Sequence, residues 1–351
     1  MTECSQRPLA SVVCILVSCL SATLQEDEAA RTPHIESNSL MGKALVDYVN
    51  ANQQLFKAEA NGNEEIYKHK LMDVKFAKRG PTLEEEYFLE DSNDTDIPES
   101  FDARVQWPDC PSLTAIQDQA NCGSCWAVAS AETMSDRVCI ASNGRKKVTL
   151  SAEDLLSCCW ECTFFHAFAC VGGWTMSAWR HFVRKGVCTG GAYGEQKACM
   201  PYEFPPCGHH TNQTYYGECN GFKVPQKCMY KCQDGYPVNY NDDKTYGKKA
   251  YAIPQSVSAI QRDIIKNGPV VAGFRVFEDL VYYKTGIYKH TAGKAQGGHA
   301  VKIIGWGVEN DVPYWIIANS WNTDWGEDGF FRMLRGANEC GIEENIVAGL
   351  V

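Results

Sequence analysis

Four residues from three separate stretches of this chain carry the parts of a covalent acyl-transfer site. Cys125 lies in Gln119-Ala120-Asn121-Cys122-Gly123-Ser124-Cys125-Trp126, His299 in Gly297-Gly298-His299-Ala300, and Asn319 in Ala318-Asn319-Ser320-Trp321. A thiol attacks a carbonyl carbon as thiolate. A helix N-terminus and a nearby imidazolium both favour that charge, lowering a cysteine well below about 8.5. Cys125 is therefore read as the nucleophile and His299 as its base. Asn319 would accept the other imidazole N–H and hold the tautomer. Trp321 would shield that hydrogen bond from water. Gln119 would donate to the oxyanion, with the Cys125 backbone N–H as second donor. Singly these residues have ordinary explanations, a disulfide half or a structural histidine. Their combination in the order Gln, Cys, His, Asn carries the reading.

The elements that must position them follow from pattern. Ser124 to Cys139 reads as a helix, with Ser124 as its cap and an apolar stripe at Ala127, Val128, Ala131 and Met134. Residues 158–173 read as a cysteine- and glycine-rich loop, and 199–250 as a turn-rich insertion. From about 268 to 333 the pattern turns to strands, as in Ala300-Val301-Lys302-Ile303-Ile304-Gly305-Trp306 and Tyr314-Trp315-Ile316-Ile317. Helices first and strands later give an α+β chain, which suits two subdomains with a cleft between them.

Composition bounds the rest. The chain has 351 residues, 44% of them apolar, and a net charge of -10, which argues against nucleic acid as a partner. The apolar run Leu9–Ala22 has the build of a signal peptide, so residues 1–22 are expected to be removed. No later run of about 20 apolar residues follows, so no membrane span is expected. Residues 23–96 are charged and cysteine-free beyond the leader and rich in helix formers. They read as a propeptide that holds the cleft shut, with a small N-terminal domain as the plainer alternative. The mature part is then 97–351. Fifteen of the 18 cysteines lie beyond the leader, a density that implies disulfides made in the secretory pathway. Zinc is the rival, but Cys159-x-x-Cys162 lacks a matching second pair, so no metal or other cofactor is expected.

The run Cys122-Gly123-Ser124-Cys125-Trp126 resembles the signature of papain-like cysteine proteases. His299 and Asn319 follow Cys125 by 174 and 194 positions, more than the family's ~130–150, so an insertion must intervene. That insertion carries Pro205-Pro206-Cys207-Gly208-His209-His210 and resembles the occluding loop of cathepsin B, about 199–235 here. The resemblance extends over 97–351, through Phe101-Asp102-Ala103-Arg104, Trp306-Gly307-Val308-Glu309-Asn310 and Asn319-Ser320-Trp321-Asn322-Thr323-Asp324-Trp325-Gly326. It implies a secreted, acid-active zymogen of a cysteine peptidase. It also implies dipeptidyl carboxypeptidase activity, with His209 and His210 taking the substrate's C-terminal carboxylate. An inactive secreted binding protein on a protease scaffold is the alternative, and would predict loss of one of the four site residues.

Further expectations rest on the same resemblance. The implied disulfides are Cys110–Cys139, Cys122–Cys170, Cys158–Cys228, Cys159–Cys162, Cys199–Cys232 and Cys207–Cys219, and a bridge between the remaining Cys188 and Cys340 is added. Gly172 and Gly173 form the strip on which a peptide lies extended. Asn345 stands at the base of the pocket for the second residue before the scissile bond, where a glutamate would admit arginine; apolar groups are expected there instead. No arginine lies between Cys207 and Cys219 to pair with Asp324, so a His209–Asp118 contact alone would pin the flap, leaving a looser loop and more endopeptidase activity. Asn93 and Asn212 head glycosylation sequons. The stretch from Tyr314 to Glu327 looks like a longer motif of cathepsin B-like proteases of blood-feeding helminths, which implies haemoglobin as one substrate. The expected partners are protein substrates, the chain's own propeptide and cystatin-like inhibitors. The expected location is the lysosome or the outside of the cell, including a gut lumen.

Overall fold

The computed structural model describes residues 37–80, 87–88 and 96–351. The expected leader 1–22 and the sequon at Asn93 lie outside the described residues. The helices are α1 Gly42–Asn52, α2 Glu64–His69, α3 Ala103–Gln106, α4 Cys125–Ala141, α5 Ala152–Cys158, α6 Thr175–Lys185, α7 Val257–Asn267 and α8 Glu278–Val281. The strands are β1 Phe56–Ala58, β2 Tyr87–Phe88, β3 Phe101–Asp102, β4 Lys249–Ile253, β5 Val270–Phe277, β6 Tyr283–Tyr288, β7 Ala295–Glu309, β8 Val312–Ala318, β9 Phe330–Leu334 and β10 Asn345–Leu350. They run in the order β1-β6-β9-β8-β7-β5-β10-β4-β2, with β3 also pairing to β7.

Helix α4 is the pillar of the first subdomain. Sixteen of its 17 residues are buried, so the expected stripe is only part of what is covered. A helix buried on every side must pair its charges, because an unpaired buried charge is prohibitively costly. Arg137 meets Asp263 of α7 at 2.5 Å and donates to the carbonyls of Pro269 and Gly349. Asp136 meets Lys302 of β7 at 2.9 Å. These pairs fasten the helix to the sheet. Ser124 sits at the N-cap position but makes no capping bond. Its hydroxyl is instead 2.6 Å from the Tyr202 hydroxyl, in a buried site where that partner is nearer.

Two large apolar cores and two smaller clusters result among the described residues. One surrounds α4, α5 and α6, with Leu155, Trp179 and Phe182. The other lies on the sheet, with Val270, Ile303, Trp306, Trp315 and Ile346. The segment 37–80 feeds both and is no separate small domain. Its β1 pairs with β6, its Leu45, Val49 and Tyr67 join the sheet's core, and its Met72 and Phe76 join the helical one.

Residues 186–248, between α6 and β4, hold no regular element. Cys158–Cys228, Cys199–Cys232 and Cys207–Cys219 brace this insertion. Cys110–Cys139, Cys122–Cys170 and Cys159–Cys162 are also formed, so all six implied pairs are present. The added Cys188–Cys340 bridge is not: both thiols are free. Cys188 packs with Cys158, Cys199, Met200 and Tyr240 at the start of the insertion, whereas Cys340 packs against the sheet's core.

Candidate active site

Cys125 opens α4, and its buried thiol lies against the backbone amides of Ala300, Trp126, Cys125 and Met72. Antiparallel pairing of β7 with β8 matches Lys302 to Ala318, which brings His299 and Asn319 together. The His299 Nε2–H donates to Asn319 Oδ1 at 2.7 Å. That fixes the tautomer and leaves Nδ1 bare, with no hydrogen-bond partner. The Trp321 ring covers the imidazole at 4.9 Å and is itself buried. Gln119 Oε1 accepts from the Ser320 hydroxyl at 2.6 Å, which aims its Nε2 across the cleft.

The cleft is filled by the chain's own N-terminal segment. Gln119 Nε2 donates to the Lys70 carbonyl oxygen at 2.8 Å. Met72 exchanges backbone hydrogen bonds with Gly298 at 2.9 and 2.8 Å, and the Asp73 N–H donates to Val171 O at 2.8 Å. The Lys70 side chain is fully buried, its ammonium 2.5 Å from Asp118. Tyr67 stacks on Trp321 at 5.2 Å. Of the segment, Tyr67, Lys70, Met72 and Asp73 carry no sequence pattern that marks them, and Tyr202, which donates to Gln119 O at 2.8 Å, is equally silent.

This occupancy resets the titration of the pair. Burial pushes the Cys125 thiol up to about 12, even though the surrounding N–H groups favour its thiolate. Burial, with the positive charge of Lys70, holds the His299 imidazole down to about 4 against its bond to Asn319. Between those values both groups are neutral. The helix-start position that the sequence suggested for a ready thiolate is therefore correct, but the thiolate is not formed while the segment is seated.

The walls of the cleft follow the expected strip. A Cβ at Gly172, whose φ is +137°, would meet Phe76 and Met72 at 2.4 and 2.9 Å. Gly173 instead lies against the Trp126 ring and the Cys162 carbonyl, so its smallness serves packing. Asn345, on β10 opposite Gly273, is buried and donates to Ala77 O at 3.2 Å. Thus the segment also occupies the pocket assigned to Asn345.

The flap differs from expectation. His210, not His209, meets Asp118, through Nε2 at 3.2 Å. Its Nδ1 meets Asp324 at 3.0 Å, filling the place of the missing arginine. Burial works against its charge, but the bonds to Asp118 and Asp324 prevail and raise it to about 9. His209 points outward, 78% exposed, stacked on Tyr215 at 4.4 Å, while its carbonyl accepts from Asn63 of the N-terminal segment. The course of the loop turns His210 toward the acids and His209 away from them, so only one imidazole reaches them. Gln213 and Asn322 add paired amide bonds at 2.7 and 3.0 Å, and Asn212 is exposed. Among the described residues two clusters bring possible metal ligands together, Cys159–Glu161–His181 and Cys188–Cys199–Asp243, but each counts a sulfur already bound in a disulfide.

Comparison with known proteins agrees with this geometry. Residues 97–350 match the family model described as papain family cysteine protease. The chain is 53% identical over 320 residues to cathepsin B-like cysteine proteinase 1 of Ostertagia ostertagi, covering 90% of this chain and 92% of that protein. It is 47% identical to cathepsin B-like cysteine proteinase 1 of Haemonchus contortus, over 94% and 95% of the two chains. Among solved structures, procathepsin B S9 from Trypanosoma congolense superposes with a TM-score of 0.73 at 34% identity, covering 88% of this chain and 98% of that one. The segment 37–80, threaded through the cleft, is accordingly propeptide. The chain belongs to the papain family of cysteine proteases, in its cathepsin B-like group, and is a cysteine-type peptidase.

Proposed function

We propose that Cys125 is the nucleophile of an acid-active peptidase and that His299, oriented by Asn319, shuttles the proton. The thiolate attacks the scissile carbonyl, and Gln119 Nε2 with the Cys125 N–H receives the oxyanion. The amine leaves with a proton from His299, and water then cleaves the thioester. The observation that carries this reading is the Lys70 carbonyl held by Gln119 Nε2 2.8 Å away: a peptide carbonyl already meets the proposed oxyanion donor. The segment stays uncut there because both reacting groups are neutral. Residues 23–96 are proposed as the propeptide, 1–22 as the signal peptide and 97–351 as the mature enzyme.

The loop 199–235 supports a dipeptidyl carboxypeptidase activity alongside endopeptidase cleavage. His209 is the imidazole free to take a C-terminal carboxylate, and His210 is the latch. Asn345, an amide in place of a carboxylate, favours apolar groups over arginine in its pocket. Gly172 and Gly173 admit the peptide backbone. The open form of the same cleft suits cystatin-like inhibitors. Six disulfides and the leader argue for the secretory pathway, with a lysosomal or extracellular destination and Asn93 and Asn212 as glycan sites. Haemoglobin is the protein substrate to try first. An inactive scaffold would lack one of Gln119, Cys125, His299 or Asn319, and all four are present. The test is labelling of acid-processed protein with an epoxysuccinyl inhibitor. Modification should map to Cys125 alone, and peptide turnover surviving Cys125→Ser would overturn the assignment.

A further inference from the structure

A second cavity, of about 440 Å³, opens between the end of α6, the stretch that starts at Cys158, and residues 230–246 of the insertion. It shares no residue with the cleft described above. Its volume falls in the range of small-molecule sites. The rings of Trp160, Tyr230 and Tyr246, all more than half exposed, stand around it, with Tyr240 buried behind. Exposed aromatic rings gathered at one concavity are an unusual use of surface, since such side chains are normally spent in the core.

The polar groups of this cavity are unbalanced. Arg184, Lys185 and Lys244 line it, against Glu161 on its wall and Asp154 behind it. Arg184 is 3.0 Å from Glu161. Lys244 donates to Gly186 O at 3.1 Å, lies 3.8 Å from Asp154, and sits 4.2 Å over the Tyr240 ring. Asp154 is otherwise occupied by the Tyr240 hydroxyl and the Cys188 N–H. Three cations thus face two carboxylates. His181 in the wall is only 6% exposed, and its Nε2 has no hydrogen-bond partner. A buried polar atom left unpaired at the wall of a cavity can be satisfied by a ligand or by water entering it. A metal ion does not answer the need: the neighbouring Cys159 sulfur is bound to Cys162, and three cations would repel it.

We propose that this cavity binds a small anionic aromatic molecule, its ring among Trp160, Tyr230 and Tyr246 and its acid group toward Lys185, Lys244 and His181 Nε2. Charge-assisted bonds to the acid group and stacking on the ring supply the affinity. Burial and the three cations, opposed by Asp154, hold the His181 imidazole down to about 4. A bound anion offsets those cations, so binding takes up a proton and tightens as pH falls toward 5.

The test uses the full chain carrying Cys125→Ser, titrated by calorimetry with naphthalene-2-sulfonate, which stays ionised throughout. One saturable site is expected, tighter at pH 5 than at pH 7. Binding should be about tenfold weaker in Lys185→Ala and in Trp160→Ala, both surface changes with an unaltered thermal midpoint. Uncharged 2-naphthol and inorganic sulfate, each carrying half of the chemistry, should bind more weakly than the sulfonate. Absence of a saturable site, or affinity unchanged in both variants, would overturn the proposal.

Discussion

His210 is the residue whose removal tests the flap most directly. Its ring joins Asp118 and Asp324, one on each side, and is raised to about 9 from an ordinary 6.5. That gap is worth about 3 kcal/mol at full strength, discounted to about 2 kcal/mol because Asp324 stays partly open to solvent. Because the folded value is raised, the stabilisation is fully present below 6.5 and is lost as pH rises through about 9. In the acid range the latch is therefore always charged. His210→Ala removes the cation and leaves Asp324 with no counter-charge, so the open loop should gain roughly 10- to 30-fold in population. The assay compares two substrates on processed enzyme: a peptide with a free C-terminus that reports dipeptide release, and a C-terminally blocked, internally quenched peptide that reports endopeptidase cleavage. The ratio of endopeptidase to exopeptidase kcat/KM should rise by about tenfold or more, while His209→Ala should weaken dipeptide release without raising endopeptidase cleavage. A His210→Ala ratio equal to that of the unaltered enzyme would refute the latch. As a check on sign, proteolytic nicking of the loop in Cys125→Ser full chain should be slow at pH 7 and quicken between pH 8 and 10.

The remaining expectations are simpler. In the full chain at pH 5 to 7, where thiol and imidazole are both neutral, iodoacetamide should alkylate Cys125 at least about a hundredfold more slowly than after removal of the segment; equal rates would refute the titration argument. Asn345→Glu should raise kcat/KM on Arg-Arg substrates about 10- to 100-fold relative to Phe-Arg substrates, and no change would remove Asn345 from that pocket. Thiol titration of the denatured, unreduced chain from residue 97 should count three thiols, Cys125, Cys188 and Cys340; a count of one would restore the discarded bridge. Lys302→Met should strip the counter-charge from Asp136 and Glu132, the latter already pushed up to about 7 by burial. The loss expected in denaturant unfolding is about 3–5 kcal/mol, and a neutral result would contradict the buried-charge account of the helix.

Local pattern and the family resemblance were enough to single out the residues proposed to do chemistry. Cys125, His299 and Asn319 sit in short runs whose neighbours are themselves specified, small residues before the histidine and tryptophans after the asparagine. The six disulfides follow from the resemblance, and the strands from about residue 268 onward follow from their apolar alternation. None of these needs knowledge of what lies across the fold. Tertiary structure decided the rest, because it depends on which distant segments meet. Whether His209 or His210 turns inward is settled by the course of the backbone past Asp118 and Asp324, and two identical neighbours in a sequence offer no way to choose. Lys70 looks like one more lysine in a charged stretch until its carbonyl is found on Gln119 and its ammonium on Asp118. Lys302 looks misplaced in an apolar strand until Asp136 is found beside it. The free state of Cys188 and Cys340 has the same origin: parity invites pairing, but a bond forms only between sulfurs that the two cores bring within reach. The thiol's reactivity belongs to the fold as well, since burial by a segment some 50 residues upstream sets whether it carries charge.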